Sequence, residues 1–123
     1  MEDYRRTMRE VIEHAKRALP KAGCLVIATM DRAAKQGDEI VSVRVIPSLV
    51  AEQKRVAAET GCAFFDTYTA MGGKGSMPIW VRRGLGQADL THPSGAGAER
   101  IGNWVYGATM RAYTSYKQAR STP

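Results

Sequence analysis

An α/β fold built on a parallel sheet is what this sequence predicts, and three observations predict it. Gly23 to Thr29 and Cys62 to Asp66 are apolar runs rich in β-formers, with no polar alternation. Such runs mark strands buried on both faces, as in parallel sheets. The order helix, strand, helix, strand, long loop, helix is the grammar of a doubly wound layer.

Each element has its own local reason. Over Glu2 to Leu19, the residues Tyr4, Met8, Val11, Ile12, Ala15 and Leu19 recur at helical spacing, while Arg5, Arg6, Arg9, Glu13 and Lys16 cover the other face. Pro20 stops this helix. Met30 to Pro47 reads as irregular, with a polar turn at Lys35–Asp38 and a weakly alternating stretch, Ile40 to Val45, that suits a short strand or a crossing loop. Ser48 is the expected N-cap of a second helix over Leu49 to Thr60, closed by Gly61. Thr67 to Thr91 reads as one long glycine-rich loop, whose apolar residues argue for a packed and functional segment. A last helix runs from about Ser94 to Lys117, with Ile101, Trp104, Val105, Ala108 and Ala112 as its core stripe.

Composition bounds the class. The chain has 123 residues, enough for one domain, of which 44% are hydrophobic and 24% charged. Those values exclude collagen-like, disordered and disulfide-scaffold chains. No window approaches the ~18 apolar residues of a membrane helix, and the charged start Met1–Arg6 is followed by no apolar signal region. Cys24 and Cys62 each open an apolar run after a glycine. They read as two small buried residues, with a disulfide open to them if the strands are neighbours.

The net charge is +6. Arg5, Arg6, Arg9, Lys16, Arg17 and Lys21 gather on or after the first helix, but Glu2, Asp3, Glu10 and Glu13 are mixed with them. No stacking aromatics alternate with these cations, so a solvated helix face is the reading and no nucleic-acid partner is expected. Gly72-Gly73-Lys74-Gly75-Ser76 lacks phosphate-loop spacing, and Gly95-Ala96-Gly97 lacks the third glycine of a dinucleotide fingerprint. His14 reads as a surface residue, and no cluster of His or Cys suggests a metal.

The chemistry-bearing feature is Asp89-Leu90-Thr91-His92-Pro93, just ahead of the last helix. A carboxylate three residues before a histidine on a loop can fold back onto Nδ1, fix the tautomer and leave Nε2 as a general base. Ser94 is most simply the N-cap of the last helix, and Ser76 a hydrogen-bonding loop residue, so neither is expected to be a nucleophile.

The stretch from Pro47 onward resembles the carboxyl-terminal half of the SGNH hydrolases, the GDSL-type esterases and acylhydrolases. The residues that carry the likeness are Gln53–Ala57, Cys62–Tyr68, Met71–Met77, Trp80, Gly84-Leu85 and above all Asp89–Gly97. The Met71–Ser76 segment is similar to that of members acting on acetylated carbohydrates or peptidoglycan. The resemblance implies a flavodoxin-like three-layer αβα fold with a parallel sheet, present here as an incomplete carboxyl-terminal part. It implies ester hydrolysis through an acyl-enzyme with no metal or cofactor, His92 as base and Asp89 as its orienting carboxylate. Met71, Gly72, Gly73, Ser76 and Trp80 would line the side facing an acylated carbohydrate or other ester. Relatives of this kind are often exported.

The family's nucleophile block is missing. There is no Gly-Asp-Ser, no nucleophile elbow, and the sole asparagine, Asn103, falls inside the last helix. The expectation is therefore a domain fragment without esterase activity of its own, whose serine and oxyanion donors lie elsewhere. The alternatives are an inactive relative serving as a structural or interaction module, or an unrelated basic binding protein. An exposed apolar sheet edge would invite pairing with the missing part or with a second copy.

Overall fold

The computed structural model describes residues 1–121. Helix α1 spans Glu2–Ala18, strand β1 Leu25–Ile27, β2 Ala33–Gln36 and β3 Glu39–Ser42. Helix α2 spans Ile46–Glu59, strand β4 Ala63–Phe65, α3 Thr67–Met71, α4 Ser76–Arg82 and α5 Gly95–Ser121. Strands β1 and β4 pair in parallel, Leu25 opposite Ala63 and Ile27 opposite Phe65, with α2 in the crossover between them. This is the parallel pair that the two apolar runs predict.

Several expectations need correction. Cys24 and Cys62, one residue ahead of each strand, are not two independent buried thiols but a disulfide, with Cα atoms 4.7 Å apart. Parallel register in adjacent strands brings both residues to the same end of the sheet, inside bridging range. Nor is β1 buried on both faces. Val26 is half-buried and Ala28 fully buried, on the side where Ala28 packs with Ile46 and Val50 of α2. Leu25 and Ile27, on the other side, remain 45% and 49% exposed. On that side Leu25 shares an open cleft with Val105, Ala108 and Ala112 of α5 rather than packing closely on them.

Met30 to Pro47 is ordered as a hairpin. Ala33–Gln36 pairs antiparallel with Glu39–Ser42 around a two-residue Gly37–Asp38 turn, in which Gly37 takes φ +64°. Helix α2 begins at Ile46 rather than Leu49, and its first turn holds Pro47, whose missing N–H is no loss there. Ser48 accordingly lies inside the helix and makes no cap.

The largest departure is Thr67 to Thr91, which is not a long loop. Asp66 caps α3, its Oδ1 accepting from the Thr69 amide at 2.9 Å and its Oδ2 from the Thr69 hydroxyl at 2.8 Å. Gly72 ends α3 at φ +119°, and Gly75 precedes α4 at φ +84°. The core lies here: Met71, Met77, Trp80, Leu85 and Leu90 are buried with Ala33, and Ile101 and Trp104 of α5 pack against them. The Trp80 indole N–H donates to the Met71 carbonyl at 3.0 Å, joining α4 to the end of α3. Helix α5 continues beyond Lys117, to Ser121.

Candidate active site

The segment from Leu85 to Ser94 closes on itself before α5 begins. Gly86 bridges Pro93, the Gln87 amide donates to the His92 carbonyl at 2.8 Å, and the Leu90 amide donates back to Gln87 at 3.1 Å. Leu90 takes φ +57°, a left-handed conformation costly for a branched side chain. Its side chain is buried in the core, which holds the turn in place. Ser94 then starts α5 as the sequence predicts. Its Oγ accepts from the Gly97 amide at 3.1 Å and donates to the Gly84 carbonyl at 2.6 Å. A hydroxyl committed in both directions fits a cap and not a nucleophile.

Within this frame Asp89 and His92 face each other. Asp89 Oδ1 accepts from the amides of Thr91 (2.9 Å) and His92 (3.0 Å), and its Oδ2 lies 2.6 Å from His92 Nδ1. The His92 hydrogen bonds, first the ring and then the backbone amide, with the Thr91 amide added, hold the Asp89 carboxyl down at about 2. An ionised Asp89 accepts the Nδ1 proton, which in a neutral imidazole leaves the lone pair on Nε2. The His92 side chain is two-thirds exposed.

The other residues named from the sequence differ in exposure. Met71, Ser76 and Trp80 are buried, so their side chains are packing residues rather than the lining of an open surface. Met71 at the end of α3 and Trp80 in α4 are both part of the core cluster. Gly72 is exposed, and Gly73 is half-buried with φ +72°. Sequence reasoning missed Asp31. This carboxyl is 1% exposed and lies in the segment between β1 and β2, but neither its spacing nor its neighbours in the chain set it apart. Tyr68 stands near it: burial pushes its phenol up, with the charges of Asp31 and Asp66 adding to the effect. Among the described residues no group of three or more His, Cys, Asp or Glu is placed to hold a metal ion.

No family model and no curated protein matches the chain. A solved structure, "Peptidoglycan O-acetylesterase in action, 5 min", is similar to it over 98% of its residues, with a TM-score of 0.73 and 25% identity. The chain spans 33% of the length of that structure's chain. With its helices packed around a small parallel sheet, it has an esterase-like α/β fold.

Proposed function

We propose that residues 1–123 form a single domain, the carboxyl-terminal part of an SGNH-type ester hydrolase whose complete fold is the three-layer flavodoxin-like one. The substrate class is an acetylated carbohydrate such as peptidoglycan. The observation that carries the reading is the Asp89–His92 pair at 2.6 Å, with the His92 side chain two-thirds exposed, in a chain aligned with one third of a peptidoglycan O-acetylesterase.

In this reading His92 Nε2 takes the proton of a serine hydroxyl supplied by residues outside these 123, as the serine oxygen bonds to the ester carbonyl carbon. The same proton passes to the leaving alcohol as the C–O bond breaks. Water then repeats the sequence on the acyl-enzyme. Asp89 keeps the imidazole in the required tautomer and balances the imidazolium. Exposed Gly72 and Lys74, on either side of half-buried Gly73, are the part of the glycine-rich segment left to meet substrate. No metal or cofactor enters this scheme. A second reading, an inactive relative acting as a structural module, is favoured by the missing Gly-Asp-Ser block.

Two measurements test the reading. The chain alone is expected to hydrolyse p-nitrophenyl acetate no faster than background, because one lost oxyanion donor already costs ~10²–10³ in rate. A robust His92-dependent rate would overturn the external nucleophile. A chimera carrying this chain in place of the matching third of the O-acetylesterase is expected to be active, and to lose about 10²–10⁴ on His92→Ala. Activity indifferent to His92 would overturn its role as base.

A further inference from the structure

Residues 31–33, leading into β2, touch two segments that are remote in sequence, the glycine-rich segment and the Asp89–His92 turn. Asp31 Oδ2 accepts from the amides of Gly75 (3.1 Å) and Met77 (3.0 Å), and at 3.4 Å from the Ser42 hydroxyl. The Gly75 amide also reaches Ser42 Oγ at 2.8 Å. Two residues on, the Ala33 amide donates to the Leu90 carbonyl at 3.0 Å. Leu90 is the left-handed residue between Asp89 and His92. Residues 31–33 thus grip the glycine-rich segment at one end and the Asp89–His92 turn at the other.

Stability alone is a weak account of Asp31. Burying a carboxyl is costly, and its Oδ1 has no hydrogen-bond partner among the described residues. A well-packed neutral side chain would avoid that cost. A single oxygen receiving donors from β3 and from both sides of the α4 start instead fixes one relative placement of these pieces. That placement holds Ala33 against Leu90.

We infer that Asp31 is a positioning residue for the Asp89–His92 pair, acting through the Ala33–Leu90 hydrogen bond. Its catalytic meaning rests on the acid–base reading of that pair, but its test uses no substrate. Amide exchange and the Asp89 carboxyl titration, both followed by NMR on the 123-residue chain, are compared across Asp31→Ala, Asp31→Asn and Ser42→Ala. In Asp31→Ala the Ala33 amide is expected to lose protection roughly tenfold or more while α2 amides keep theirs. The Asp89 midpoint is expected to rise by about one pH unit as the turn loosens. Asp31→Asn keeps an acceptor oxygen and should restore most of both. If Asp31→Ala does not fold, Ser42→Ala is read in its place, with a smaller change of the same selectivity. An unchanged Ala33 amide, or equal loss of protection throughout the chain, overturns the inference. An inactive chimera with an intact Ala33–Leu90 bond overturns the esterase reading instead.

Discussion

Gly97 lies so close to Leu85 that a Cβ on it would stand 1.9 Å from the Leu85 carbonyl oxygen. That oxygen also accepts the Ser94 amide at 2.9 Å, so the start of α5 and the start of the site loop share one contact. Gly97→Ala is expected to lower stability by about 3 kcal/mol in urea unfolding, at the upper end of overpacking costs. Gly95 has open space at the same helix end. Gly95→Ala should therefore be neutral or slightly stabilising, and equal losses at the two positions would refute the steric account.

The disulfide closes a segment of 38 residues. By chain entropy that closure is worth about 4 kcal/mol. Thiol titration of the unfolded, unreduced chain should find no free thiol. Reduction, or the double change Cys24→Ser with Cys62→Ser, should lower the unfolding midpoint by the same amount. A reductant that leaves the midpoint unmoved would show that the bond constrains little.

Asp89 titrates at about 2 in the folded chain, below its ordinary value of 3.8. A depressed folded-state value favours the folded state above the unfolded value, so the pair's contribution is present above about pH 4. It is lost as pH falls through about 2. Carboxyl titration by NMR should place the Asp89 midpoint in that acid range. His92→Ala should move it upward, since the imidazole is the first cause of the depression. In the chimera, Asp89 should contribute no inflection to the rate profile above about pH 4.

Leu25 and Ile27 present a half-covered apolar face, and β1 has a hydrogen-bonding edge with no strand on it among the described residues. Such an edge pairs with whatever strand is available. The 13.5 kDa chain should therefore run above monomer mass in light scattering at raised concentration. Ile27→Lys should restore the monomer. A clean monomer at every concentration would count against this face as a pairing surface.

Legibility in the sequence followed the reach of the interactions. Helix α1 was readable because its apolar stripe repeats over five turns before Pro20. The Asp89–His92 contact was readable because its partners are three residues apart. Helices α3 and α4 were not, since five and seven residues hold too little of a 3.6-residue period to display it. Burial of Met77 and Trp80 makes them helical, and burial is settled by α5 and β2 far along the chain. The β2 sequence Ala33-Ala34-Lys35-Gln36 carries no strand preference and is a strand because β3 pairs with it. Asp31 was silent for the same reason: its acceptor contacts with Ser42, Gly75 and Met77 span 11, 44 and 46 residues.

The Cys24–Cys62 bond lies where the two parallel strands begin, while Asp31 and the Asp66 cap follow where they finish. The sheet thus has the disulfide at one end and these two carboxyl groups past the other. Covalent rigidity enters at the first. Reducing the bond should loosen the strands like a hinge opening at its pin, costing stability while the Asp89–His92 turn keeps its own hydrogen bonds. The chain can answer to oxidising conditions through its lifetime rather than its chemistry.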